Sequence, residues 1–229
     1  MKTKGFTITE VVIVTGIIGL IAILTMPTFI SNQKKLTYSK ALQVGVVNFE
    51  SAMSNIMVRN GVDDLLDLDN WNSNSPEFTF MVGRGLAIAR QETINRTYQP
   101  LSGSGDVTVL KNLPSLLAKN GVEYIINTEN VTKANQKTEL EILQKNSNYT
   151  NKAADVYIDI NGEATPNIYG RDLFRFELGV DGILYPYHGH DYNSYNNRDE
   201  HLDPEAKCKD GYAEYCAAYL MSNNYEMDY

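Results

Sequence analysis

Residue types that could do chemistry fall in a few places along this 229-residue chain. Asp159, Asn161 and Asp172 put carboxylate and amide oxygens around two turns, with Asn167 and Gly170 between them. Calcium takes about six to eight oxygens of this kind. The same residues also serve plain turns, because Asp and Asn bond their own backbone and glycine supplies positive φ. The spacing leaves both readings open, and calcium is the one cofactor it suggests. Asp63, Asp64, Asp67 and Asp69 lack the glycine and terminal glutamate of an EF-hand. That stretch, residues 61–75, reads as a solvated loop around the only tryptophan. His188-Gly189-His190-Asp191, with His201 nearby, matches part of an H-x-H-x-D metal motif. A metallohydrolase needs further histidines, and the chain has three. Cys208 and Cys216 are the only cysteines. Their closeness suits a small disulfide loop in an oxidising compartment. They lack C-x-x-C redox spacing and are too few for zinc. No P-loop, nucleophile elbow or dinucleotide fingerprint is present, so no enzyme is expected. The sequons at Asn95, Asn130 and Asn148 matter only where glycosylation machinery exists.

One further carboxylate, Glu10, stands at the mouth of the longest apolar run. From Val11 to Ile30 there are 20 residues without a charge. That length crosses a hydrocarbon core of roughly 30 Å at roughly 1.5 Å per residue. An ionised carboxylate is costly there unless it stays at the interface or finds a cation. A secretory signal peptide has a shorter apolar core followed by a small-residue cleavage site. Here the run is longer and closes on Thr25-Met26-Pro27-Thr28-Phe29 instead, so it is expected to stay in the mature protein.

Gly5-Phe6-Thr7-Ile8-Thr9-Glu10, behind a leader with Lys2 and Lys4, resembles the prepilin cleavage and methylation motif of type IV pilins and type II secretion pseudopilins. Basic leader, glycine, aromatic, acid, apolar run and Pro27 agree with that family in order and spacing. The resemblance covers about the first 30 residues. It implies cleavage between Gly5 and Phe6, N-methylation of Phe6, and an assembly role for Glu10, which would meet the Phe6 amine of a neighbouring subunit. It implies a soft helical segment around Gly16, Gly19 and Pro27. It also implies an α+β, pilin-like fold: a long N-terminal helix on a small antiparallel sheet, then a C-terminal disulfide region. The implied partners are other pilin or pseudopilin subunits, the prepilin peptidase, the inner-membrane assembly platform and membrane lipid. The implied place is the bacterial inner membrane, with the globular domain extracytoplasmic, and then a periplasmic or cell-surface filament. A rival reading is an uncut signal-anchored binding module or hydrolase, in which Gly5, Glu10 and Pro27 are incidental.

The net charge of −8 argues against nucleic-acid binding, which needs a basic face. Lys34, Lys35 and Lys40 beyond the run balance Lys2 and Lys4 before it, so positive charge does not set the orientation. The expected divisions are a leader 1–5, a transmembrane or filament-core helix 6–30, an amphipathic helix 31–60 and a globular α+β domain 61–229.

Phe29, Leu36, Tyr38, Leu42, Val46, Phe49, Met53 and Ile56 mostly recur at three and four residues. This is an apolar helical stripe, expected to cover the sheet and to stop at Asn60-Gly61. Ser75-Pro76-Glu77 reads as a helix start, and the stretch after it is ambiguous because Gly83 and Gly85 interrupt it. Leu113–Asn120 reads as a short helix, Val122–Asn127 as a strand, and Glu139–Leu143 as either. DVYIDING from Asp155 alternates and ends in a turn pair, and Asp181-Gly182 sits between two apolar strands as a hairpin. Residues 187–211 read as a tyrosine- and asparagine-rich loop, and Tyr212–Asn223 as a helix.

Overall fold

The computed structural model describes residue 5 and residues 7–102, 106–129, 131, 152–187 and 203–229. The histidine motif, Phe6, Asn130, Asn148 and Glu139–Leu143 lie outside them. The chain forms two compact units, Met1–Thr37 and Tyr38–Tyr229. Helix α1, Ile8–Asn60, contributes to both and runs through Pro27 without a break.

In the first unit α1 exposes its apolar side chains. Ile17, Ile21, Leu24 and Phe29 are each more than half exposed. The helix is long and apolar enough to cross a membrane. Phe29 and Leu36 are exposed at 64% and 48%, so the stripe expected to cover the sheet is shorter than its sequence pattern. Three- and four-residue spacing marks an apolar face, and in this segment that face has no core to enter.

The second unit opens with the buried part of the stripe: Leu42, Val46, Phe49, Ala52, Met53 and Ile56. These pack with Tyr124, Val156, Ile158, Phe174, Phe176 and Leu178 in one core. Gly45 lets the helix approach the sheet. A Cβ there would lie 3.3 Å from both Ile158 and Val122, and the Gly45 carbonyl accepts the Tyr124 hydroxyl at 3.1 Å.

Six strands follow: β1 (Ile88–Tyr98), β2 (Thr108–Ala118), β3 (Glu123–Asn127), β4 (Lys152–Asp159), β5 (Leu173–Gly179) and β6 (Leu184–Pro186). They pair antiparallel in chain order. The class is therefore α+β, with a long helix, an antiparallel sheet and a C-terminal disulfide. The Asn161-Gly162 and Asp181-Gly182 turns leave β4 and β5 as expected, and both glycines have positive φ.

Leu113–Asn120 is not a helix. Its residues as far as Ala118 belong to β2 and pair with β1 and β3. Leu116 and Ala118 face the helix-side core, whereas Leu110 and Leu113 join a second cluster with Ile94, Tyr98, Ile125 and Leu173. A strand apolar on both faces lacks the period-two signal that separates it from a helix. The ambiguous stretch resolves as helix α2 (Pro76–Gly85), capped by Ser75, running straight into β1.

Two loops are also corrected. Residues 61–75 are partly buried: Leu65 has no exposure, its N–H donates to Val180, and the Trp71 indole donates to the Ala153 carbonyl. Asp64 acts locally, accepting the Leu66 N–H as the cap of a 3-10 turn. Residues 187–211 contain helix α3 (Pro204–Lys209), with Asp203 as its cap and Pro204 in the first turn. A 3-10 turn (Ala213–Tyr215) and helix α4 (Cys216–Ser222) complete the fold, and the Cys208–Cys216 disulfide joins α3 to α4.

Candidate functional site

The N-terminal end is built around Glu10. Its Oε2 accepts the Thr7 N–H at 2.8 Å, and Thr7 Oγ1 accepts the Glu10 N–H at 3.2 Å. This reciprocal pair is a capping box, which satisfies two donors that a helix start leaves open. The T-x-x-E spacing of Thr7 and Glu10 was its signal in the sequence. Farther in, the Thr15 and Thr25 hydroxyls donate to the carbonyls of Val11 and Ile21 at 2.9 and 3.0 Å. These two hydroxyls inside the apolar run are thus satisfied within the helix, as a hydrocarbon surround demands. Gly5 is open, and a Cβ added to it meets nothing within 4 Å.

The second polar centre lies where β1 reaches across the sheet. The Gln99 N–H donates to the Asn167 carbonyl at 2.8 Å, and the Tyr169 N–H to the Gln99 carbonyl at 2.9 Å. The far end of β1 is therefore held against the β4–β5 connection, and two side chains follow it inward. Arg96 Nη1 donates to Glu123 Oε2 at 2.6 Å and to Asp159 Oδ2 at 3.2 Å. The Tyr98 hydroxyl donates to Asp159 Oδ2 at 2.7 Å, and the Ser115 hydroxyl donates to Glu123 Oε1. Glu123 and Asp159 have no exposure, and Arg96 bridges them as a cation. Burial pushes the Asp159 carboxyl up to about 7, against the hydrogen bond from Tyr98. The Tyr98 hydroxyl is raised by burial and by the Asp159 charge. This network escaped the sequence reading. Its signal was charge at inward strand positions, Glu123 at the head of EYIIN and Arg96 within INRTY.

The three residues expected to hold calcium each bond a local partner. Asp159 is consumed by the network, and its Oδ1 accepts the Asn161 N–H at 3.1 Å. Asn161 Nδ2 donates to the carbonyls of Ala164 and Pro166 at 2.8 and 3.3 Å. Asp172 Oδ2 accepts the Ile168 N–H at 2.7 Å, and burial pushes the Asp172 carboxyl up to about 6. The Oδ1 atoms of Asn161, Asn167 and Asp172 are buried without a hydrogen-bond partner. Among the described residues, no group of three His, Cys, Asp or Glu side chains is placed to hold a metal. Asn95 of the first sequon accepts the Asn112 N–H through Oδ1.

Comparison with protein-family models, curated proteins and solved structures finds no match to this chain.

Proposed function

We propose that this chain is a structural subunit of a helical filament, a pilin or pseudopilin of the type IV pilus or type II secretion kind. One observation carries the reading: a helix capped by Thr7 and Glu10 has a first two dozen residues that expose an apolar surface. Such a surface needs either lipid or copies of itself. A filament subunit uses both in turn. The precursor is held in the inner membrane by α1 with its globular domain outside. The prepilin peptidase cuts after Gly5 and methylates Phe6. The assembly platform then draws the helix from lipid into the filament core.

The order of polar and apolar groups explains why the acid belongs at position 10. Transfer of the helix from lipid to other helices exchanges one apolar surround for another and gives little axial discrimination. A carboxylate in that surround is costly unless it finds a cation. The Phe6 amine of an adjacent subunit supplies one, so a single offset between neighbours is favoured. Thr7 satisfies Glu10 until then. The subunit catalyses nothing and binds no nucleic acid in this role.

The test is the mature N-terminus. Chain isolated from cells with the peptidase is expected to begin at N-methylated Phe6, and from peptidase-deficient cells at Met1. An intact Met1 in both would remove the proposal.

A further inference from the structure

We propose that the free edge of β1 pairs antiparallel with β1 of a second copy of this chain, centred on Gln91, so that Arg90 of each copy meets Glu92 of the other. The inference stands on β1 and does not depend on the filament reading.

The sheet leaves this edge open. β1 stands at one end of the strand order, and among the described residues β2 is its only ladder partner. The far end of β1 is closed, because Gln99 bonds Asn167 and Tyr169 through the backbone. Ahead of that closure Ala89, Arg90, Gln91 and Thr93 are exposed. An edge strand presents N–H and C=O groups that template another strand. The opposite edge, β6, spans only Leu184–Pro186 and offers little. Irregularities in the β1–β2 ladder fall between Ile88 and Arg90 and between Ile94 and Asn95. The regular stretch between them begins at Arg90 and holds both charges.

The charge pattern selects the partner. Charges on an edge strand ordinarily keep other strands away. Here two opposite charges alternate with a neutral residue, and alternate residues share a face of the sheet. Turned end for end, Arg90-Gln91-Glu92 lies against its own complement. Arg90 falls opposite Glu92 in both halves, and Gln91 falls opposite itself. Opposite charges directly across a strand pair stabilise it. Centring the pair on Arg90 or on Glu92 instead sets like charges face to face, which destabilises it. The pattern therefore favours one register.

Arg90 has donors to spare. Its bonds to Glu92 at 3.2 Å and to Glu163 at 2.6 Å both leave from Nη2. A guanidinium carries further N–H groups on its other nitrogens, and these can reach a carboxylate across the pair. The Arg90 side chain is 43% exposed, so a second strand can approach it. The pair uses the same patch on both copies and closes as a twofold dimer. Helical filaments grow through head-to-tail contacts, so this dimer belongs to chain outside a filament. A contact of a few strand residues falls below the roughly 1,200 Å² of a stable interface and is weak and reversible.

A covalent trap tests it. Gln91→Cys is made in the full chain in detergent, oxidised with copper phenanthroline and read on a non-reducing gel. Directly opposed residues of antiparallel strands have Cα atoms about 4.5–5.5 Å apart, within reach of a disulfide. The native cysteines are already paired with each other. Lys111→Cys, exposed on β2, measures random collision. The expected result is a covalent dimer from Gln91→Cys well above that control. Adding Glu92→Arg turns two attractive pairs repulsive and is expected to lower the yield about tenfold. Adding Arg90→Glu as well is expected to restore it. Near-ultraviolet circular dichroism checks that each variant is folded. Control-level yield from Gln91→Cys, an unchanged yield with Glu92→Arg, or no recovery in the folded charge-reversed variant overturns the proposal.

Discussion

Burial of the Asp159 carboxyl beside Arg96 and Tyr98 makes stability depend on pH. Asp159 is pushed by burial from an ordinary 3.8 to about 7, so the folded state holds its proton more tightly than the unfolded chain. Stability from this group is complete below about pH 4 and is lost as pH rises through about 7. Asp172 and Glu50 are also raised by burial and act in the same direction. Asp159→Asn removes one share while keeping an acceptor for the Tyr98 hydroxyl. With chelator present, its thermal midpoint is expected to change less between pH 4 and 7 than that of the wild type. An equally steep profile would show that the network does not titrate in this window. Glu10 acts at the same scale. Glu10→Ala makes the N-terminus more apolar, so membrane insertion is expected to persist while filament yield falls. Filaments at wild-type level in the variant would leave Glu10 with its capping bond to Thr7 and no assembly role.

Among the elements, close approach and chain closure decide most. Helix α2 meets α1 where Gly85 faces Ala52, and a Cβ on Gly85 would lie 2.9 Å from the Ala52 Cβ and 3.3 Å from its Cα. A larger side chain must push the two helices apart. Gly85→Leu is expected to destabilise by about 1–3 kcal/mol, because overpacking outweighs the gain in helix propensity. A urea titration reads this as a lower midpoint at unchanged slope, and an unmoved midpoint would mean that the helices yield freely. The C-terminal helices depend on their covalent link. Cys208 and Cys216 are fully buried and close a short loop between α3 and α4. Replacing both by serine is expected to cost about 2–3 kcal/mol through the freed unfolded chain. The loss should appear as equal midpoints for oxidised and reduced samples of the variant, against separate midpoints for the wild type.

For the whole molecule, the open position of Gly5 gives a clean variant. A Cβ on Gly5 meets nothing within 4 Å among the described residues, so Gly5→Leu is expected to leave the folded domain unchanged. On the proposed filament role, a peptidase that cuts after Gly5 is expected to leave the leader of this variant attached. Intact-mass spectrometry distinguishes the two chains, and a mature mass for the variant would oppose the processing motif. The sequence by itself determined what depends on local order. A 20-residue uncharged run, its acid, a helical stripe from Leu42 to Ile56, two Asx-Gly turns and a nearby pair of cysteines are legible because periodicity, length and spacing act along a few turns of chain. The tertiary structure decided what depends on partners distant in sequence. Leu113 to Ala118 is strand because β1 and β3 flank it, which no local period could reveal. Arg96 reaches Glu123 and Asp159 across separations of 27 and 63 residues. Asp159 therefore bonds this network while Asp172 keeps one oxygen unbonded. A buried charge takes its meaning from what burial leaves beside it, and that is a property of the packed sheet rather than of the order of residues.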